Sequence, residues 1–176
     1  MDTQSPLLKW NWLVRIVHWS VAILFFANYY FTDQGYELHR NIGWAVLILI
    51  GIRLAWGLTL AKAPSKLTSF FPTPSRIKHH IEELKTRSQP EQVGHNAFGA
   101  FAIFFMWGAL ITAVLSGWGY DTDWAWDNGY EDLLHDIHAI SVDLIFYTVC
   151  IHIAAVIFVS FWLRRNLIKS MIVGRF

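Results

Sequence analysis

The sequence predicts an all-α integral membrane protein: a four-transmembrane-helix bundle with both termini cytoplasmic and a short cytoplasmic surface helix between helices 2 and 3. Hydrophobic residues make up 55% of the 176 residues, whereas Asp, Glu, Lys and Arg make up 15%; in soluble domains the charged share is about a quarter. Several apolar segments approach or exceed the roughly 20 residues that a helix needs to cross a bilayer. The length suits one domain, so we expect residues 1–176 to form a single membrane domain.

The predicted spans cover residues 16–32, 38–60, 97–118 and 134–163. Short connections join the first span to the second and the third to the fourth, so these neighbours should be antiparallel. The long connection is rich in proline and charge, which places it outside the membrane. Within it, Ile77, Ile81 and Leu84 recur at helical spacing after Pro74, which predicts a surface helix over residues 74–87.

Charge is distributed unevenly between the two sides of the predicted bundle. The long connection carries six Lys and Arg residues, and the C-terminal tail carries four more without an acid. The two opposite connections carry acids instead: Asp33, Glu37, Asp121, Asp123, Asp127, Glu131 and Asp132. Because cytoplasmic loops of membrane proteins are enriched in Lys and Arg, we expect both termini and the long connection in the cytoplasm.

Of the histidines within the predicted spans, four lie at two matched depths. His138 and His152 are 14 residues apart on the fourth span, which is about 40° short of four full turns and about 21 Å along the axis. They therefore share a face and lie near opposite surfaces of the roughly 30 Å hydrocarbon core. His18 lies at the inner end of the first span and His39 at the outer end of the second. Depth thus pairs His18 with His152 and His39 with His138.

Two imidazoles from different helices at each of two depths suit two six-coordinate b-type haems. A structural zinc takes four ligands, generally including thiolates, and the chain has one cysteine, Cys150. The sequence contains no Cys-x-x-Cys-His, so covalent c-type attachment is excluded. His135 lies one turn before His138 on nearly the same face, and it is the alternative outer ligand or a hydrogen-bonding partner of a haem propionate.

Arginines near these histidines are candidate partners of the propionates. Arg15 precedes His18 by one turn, Arg40 adjoins His39, and Arg53 shares the face of His39 at the inner depth. An ionisable residue inside a span is costly and is generally functional. The alternative for Arg53 is a side chain that extends along the helix to the cytoplasmic interface.

Other candidates lie on the second and third spans. His95 is a candidate ligand, a candidate partner of a quinone headgroup, or a helix cap together with Asn96. Gly43, Gly99 and Gly108 lack side-chain bulk, which would let a porphyrin approach the helices. Glycine also serves close packing between membrane helices, so both interpretations stay open.

Five stretches carry a resemblance to a known family: "WNWLVRIVHW", "LHRNIGWAVLILIGIRLAWG", "FFPTPSRI", "GHNAFGA" and "LHDIHAISVDLIFYTVCIHIAAV". They resemble, over nearly the whole chain, the prokaryotic cytochrome b561 family, whose wider group includes cytochrome b subunits of nickel–iron hydrogenases and formate dehydrogenases. The resemblance implies two non-covalent haem b groups, electron exchange with membrane quinone and a place in a bacterial inner membrane. The family's axial haem ligands correspond to four residues of this chain: His18, His39, His138 and His152.

One departure from the family pattern concerns the outer ligand. The family usually has an acid after the first histidine of the fourth helix, whereas here Ala139 follows His138 and Asp136 follows His135. The 14-residue spacing to His152 nevertheless favours His138 as the ligand.

We therefore expect an electron carrier between the quinone pool and a periplasmic redox partner, with quinone near the inner haem beside His95, Asn96 and Arg53. The acidic, aromatic loop "YDTDWAWDNGYEDL" is either a docking surface for a basic c-type cytochrome or hydrogenase-like subunit, or a solvated loop with interfacial aromatics. One alternative is a stand-alone superoxide:quinone oxidoreductase, which the acidic outer face disfavours, and another is a cofactor-free membrane anchor. No nucleic-acid partner is expected, and a homodimer is a candidate assembly.

Overall fold

The computed structural model describes residues 11–63, 65–78, 82, 97–162, 164 and 166–174, and within these ranges the regular structure is helical without strands. Four of its helices are long and apolar enough to cross a membrane, which confirms the predicted all-α class and the four spans. The helices in chain order are α1 (Trp12–Phe31), α2 (Glu37–Thr59), α3 (Leu67–Phe70), α4 (Ala97–Tyr120), α5 (Asp123–Asn128), α6 (Glu131–Trp162) and α7 (Leu167–Val173).

The ends of the spans differ from the predicted ones by a few residues, because capping groups decide them. α1 begins four residues early, where the side chain of Asn11 accepts a hydrogen bond from the Leu13 N–H at 2.9 Å. α6 begins at Glu131 and contains 32 residues, so it is about 48 Å long and exceeds the roughly 30 Å hydrocarbon layer. The longest span therefore extends beyond the apolar layer.

Three short helices, α3, α5 and α7, were not predicted as separate elements. α5 fills the turn between α4 and α6: Thr122 caps it by accepting from the Ala125 N–H at 3.3 Å, and it ends at Gly129 with φ 72°. Glycine adopts this left-handed conformation without steric cost. α7 follows α6 and packs against it, with Asn166 as its N-cap.

The core of the bundle lies midway along the spans. Its buried residues come from three helices: Val46, Ile50, Leu110, Ala113 and Ile145, and side chains of α1 pack against them. α1 packs along α2, α2 along α4, and α4 along α6. Many large apolar side chains point outward, among them Ile48 and Ile151 at 60% and 69% exposure. Such a surface fits lipid rather than water.

The described part of the long connection folds onto the end of α2 and α4. Leu67 and Phe70 of α3 are buried together with Ala100 of α4. Residues 74–78 are helical, while most of the predicted surface helix over residues 74–87 lies outside the described residues. The cytoplasmic placement of this connection and of the termini stays a prediction.

Candidate functional site

The four span histidines form two facing pairs, one at each end of the core. His18 of α1 faces His152 of α6 with 6.5 Å between the ring centroids and 54° between the ring planes. His39 of α2 faces His138 of α6 at 6.1 Å and 61°. These are the two pairs that the depth of the residues predicts. One helix, α6, contributes a histidine to both pairs.

The separation of the rings suits a single metal ion between each pair. With metal–nitrogen bonds of about 2.0–2.1 Å and about 1.1 Å from each nitrogen to its ring centre, two ligating imidazoles have centroids roughly 6.2–6.4 Å apart. Among the described residues, no group of three or more His, Cys, Asp or Glu side chains forms a metal site. A pair of protein ligands would suit a metal whose other ligands come from a cofactor, as in haem.

We name His39 and His138 the outer pair, and His18 and His152 the inner pair, after their predicted sides of the membrane. The outer pair is held in one tautomer by hydrogen bonds. Nδ1 of His138 lies 2.7 Å from the carbonyl oxygen of Ala113, and a carbonyl oxygen can only accept, so Nδ1 carries the proton. Nδ1 of His39 lies 3.1 Å from the hydroxyl of Thr32, which donates its own proton to the Asn28 carbonyl at 2.6 Å. Nδ1 of His39 is therefore the donor in turn. Both rings keep the Nε2 lone pair free for a metal.

Gly117 of α4 makes room for the His138 ring, a contact that the sequence analysis did not identify. A Cβ atom at this position would lie 2.9 Å from Nδ1 of His138 and 3.1 Å from its Cε1. By contrast, a Cβ at Gly108 would meet nothing within 4 Å, and one at Gly43 would make ordinary contact with Val114. The available signal was a glycine near the outer end of the third span, which does not by itself indicate a neighbour on the fourth.

The inner pair has fewer hydrogen-bonding restraints than the outer pair. Nδ1 of His18 is buried and has no hydrogen-bond partner among the described residues. The ring meets Trp19 edge to face, with 5.3 Å between centroids. A buried polar atom without a partner is uncommon, which makes this end of the bundle a place where a bound group would complete the structure.

Arg53, which follows His39 by 14 residues along α2, is buried, and one side of its guanidinium is unbonded. Its residue exposure is 3%; Nη2 donates to the Ser65 carbonyl at 2.9 Å, while the buried Nη1 has no partner among the described residues. The rings of Trp56 and Trp107 lie 5.4 and 5.6 Å from its Cζ atom. Gly57 leaves space for Nη1, because a Cβ there would overlap it. The side chain thus extends along α2 to the long connection, as the alternative for Arg53 expects, while its guanidinium is buried in the protein.

The other two candidate arginines have partners in the protein. Arg15 donates through Nε to the Met171 carbonyl at 3.3 Å and through Nη2 to the Ile172 carbonyl, so it binds the C-terminal end of α7. Arg40 forms an ion pair with Asp121, with 3.1 Å between Nη1 and Oδ2. Each guanidinium has further N–H groups, so their proposed contacts with propionates stay predictions.

The remaining candidates lie away from the pairs or outside the described residues. His135 has a side-chain exposure of 56% and lies 3.7 Å from Asp136, with its ring beside Tyr120. His138, not His135, is therefore the residue opposite His39. His95 and Asn96 lie outside the described residues, as does any contact that they make with a quinone.

Comparison with known proteins adds one finding. A family model described as "Prokaryotic cytochrome b561" matches residues 9–174, which is nearly the whole chain and includes all four paired histidines. No curated protein and no solved structure matches the chain.

Proposed function

This chain belongs to the prokaryotic cytochrome b561 family, and we propose that its two histidine pairs hold two haem b groups that carry electrons between membrane quinone and a periplasmic redox partner. Membership makes the protein a multi-pass bacterial membrane cytochrome that binds haem b and takes part in electron transfer. The number of haems, their ligands, the quinone and the partner are our proposal, as are the inner membrane and the extent of the domain, residues 1–176.

The observation that carries the proposal is the facing of the histidines in two pairs. The ring centroids are 6.5 Å apart between His18 and His152, and 6.1 Å apart between His39 and His138. Haem supplies reversible one-electron chemistry at iron. The chain's part is to present an unprotonated Nε2 atom from each of the two histidines of a pair. At the outer site, the Nδ1 hydrogen bonds of His39 and His138 favour this tautomer. Along α6 the two sites are about 21 Å apart, which spans most of the hydrocarbon layer.

Arg53 is the candidate for holding an anionic group at the inner site. Its unbonded, buried Nη1 supports this role, because a buried guanidinium N–H without an acceptor is costly. A haem propionate would satisfy it with a charge-assisted bond. Arg15 and Arg40 are proposed as further propionate partners, with His135 as a hydrogen-bonding candidate at the outer end.

Quinone is proposed to bind near the inner haem, beside Arg53, His95 and Asn96. The outer partner is proposed to be a basic redox protein, such as a c-type cytochrome or a hydrogenase-like subunit. Trp124 and Trp126 are exposed at 62% and 56% on α5, among the acids of the outer connection, and acidic surfaces steer basic partners. The same acids would repel superoxide, so we favour the electron carrier over a superoxide:quinone oxidoreductase. Family membership argues against a cofactor-free anchor.

The test is a haem titration of the purified full-length protein. We expect a pyridine haemochrome assay to give two haem b per chain, and a quinol added to the oxidised protein to reduce them. One haem per chain would show that only one histidine pair ligates. A colourless protein, or haem that no quinol reduces, would contradict the proposal.

A further inference from the structure

Asp143 is a carboxylate near the middle of α6, and neither proposed haem site uses it. It is the one acid in the sequence between His138 and His152. Residue 145 lies midway between those histidines and belongs to the central core as Ile145. Asp143 is two residues away, about 3 Å along the axis, so it lies close to the middle of the hydrocarbon layer.

The side of α6 that carries Asp143 faces away from the bundle. At 100° per residue, Asp143 is about 140° around the helix from His138 and about 180° from His152. Its neighbours Ser141 and Ile145 are buried at 6% and 2% exposure, whereas Asp143 itself is exposed. Haem ligation and propionate binding therefore do not account for this residue.

No described residue forms a hydrogen bond or an ion pair with the Asp143 side chain. A carboxyl group that faces acyl chains is costly, because lipid offers neither water nor a donor. Ionisable residues inside membranes almost always point to a protein interior or a water-filled cavity and pair there. The outward direction of Asp143 thus indicates that another protein segment covers it.

An uninterrupted exposed stripe surrounds Asp143, which we name the Asp143 face: Asp136, Ala139, Ile140, Asp143, Tyr147, Cys150, Ile151, Ala154, Phe158 and Phe161. Its members lie within about 120° of one another around the helix. Small residues at 139, 150 and 154 leave space for close approach of a second helix. The large side chains of Ile140 and Tyr147, exposed at 59% and 65%, flank the carboxylate.

We propose that the Asp143 face binds a transmembrane helix of a different membrane protein, and that this helix carries a Lys, Arg or His at the depth of Asp143. Charge complementarity carries the choice of partner, because a cation neutralises the carboxylate without water. A second copy of this chain docked through the same face would oppose two carboxylates. Arg53 of a second copy would not supply the cation either, because it is buried at 3% exposure within its own bundle.

The proposal is tested with defined transmembrane peptides and the full-length protein in lipid nanodiscs. One synthetic peptide is an apolar Leu/Ala helix with a single central Lys, and the other has Leu in that position. The peptide carries a fluorescent donor. The protein carries an acceptor on the cysteine of Gln34→Cys, with Cys150→Ala removing the natural cysteine. Energy transfer between the two labels measures association. We expect the Lys peptide to associate at about tenfold lower concentration in the membrane than the Leu peptide, and Asp143→Leu to abolish that difference.

Asp136→Leu is the matched control, because it removes an acid of the same face seven residues nearer the outer end and should keep the preference. The haem spectrum of Asp143→Leu should equal that of the unsubstituted protein, since both histidine pairs lie on the other side of α6. Equal association of the two peptides, or an unchanged preference in Asp143→Leu, would overturn the proposal. Self-association of labelled copies that Asp143→Leu weakens would also overturn it, by making a second copy the occupant. A colourless protein would contradict the proposed function and leave the peptide comparison readable.

Discussion

Nδ1 of His138 on α6 donates a hydrogen bond to the Ala113 carbonyl oxygen on α4, at 2.7 Å. α4 supplies no histidine to either pair, yet its backbone orients a proposed iron ligand. The Ser116 hydroxyl donates to the Thr112 carbonyl at 2.7 Å and also lies 3.2 Å from the Ala113 oxygen. Because the acceptor is a backbone atom, a side-chain substitution at Ala113 leaves it in place, and the neighbouring Gly117 becomes the position at which the ligand can be disturbed.

Gly117→Ala should weaken haem binding at the outer site. The added Cβ would lie 2.9 Å from Nδ1 of His138, so the ring must move, and a ring fixed by an iron cannot move freely. Substitutions around metal ligands typically lower affinity 10- to 100-fold, so we expect roughly that loss in a titration of apoprotein with haem. Gly108→Ala is the control: its Cβ meets nothing within 4 Å, and alanine favours a helix over glycine by about 1 kcal/mol. Equal haem affinity in the two variants would contradict the assigned contact.

His152→Ala should remove the inner haem and leave the outer one. The expected haem-to-protein ratio falls from two to one in a pyridine haemochrome assay, and thermal stability falls as well, because a group bound only to the folded state stabilises it. His135→Ala should leave the ratio at two, since its side chain is 56% exposed beside Asp136. A ratio unchanged in His152→Ala, or a ratio of one in His135→Ala, would mean that the ligands are assigned wrongly.

Arg53→Gln should lower the reduction potential of one haem. Loss of a positive charge near the iron favours the more positive, oxidised form. An interaction on the order of 1 kcal/mol corresponds to roughly 40 mV for one electron, and redox titration followed by visible spectroscopy would resolve it. Arg53→Lys keeps the charge but not the planar donor pair, so it should recover most of the potential. If both variants titrate like the unsubstituted protein, Arg53 does not contact the haem.

Two variants of the Arg40–Asp121 ion pair separate its structural role from a role in haem binding. Both Arg40→Gln and Asp121→Asn break a pair whose side chains are 47% and 27% exposed, and each should cost at most about 1 kcal/mol of unfolding free energy. Only Arg40→Gln removes a candidate propionate partner, so only this variant should raise the dissociation constant of the outer haem. Identical haem titrations of the two variants would remove Arg40 from the site.

Local features of the sequence predicted much of this molecule. Runs of apolar residues mark the spans, because the bilayer demands a minimum helix length. The pairing of His18 with His152 and of His39 with His138 followed from chain direction and a constant rise per residue. The short helices α3, α5 and α7 were missed. α5 and α7 depend on a cap and a turn rather than on a periodic apolar pattern, and α3 is only four residues long.

The sequence by itself determined the class, the spans and the depth of each histidine, because hydropathy and helical rise are properties of neighbouring residues. Only the tertiary structure decided which side of each helix meets which neighbour. That rotation brings Gly117 against His138 and encloses Arg53 between Trp56 and Trp107. It also turns Asp143 outward, away from both histidine pairs. Packing of side chains from distant parts of the chain fixes such rotations, and no single span encodes them.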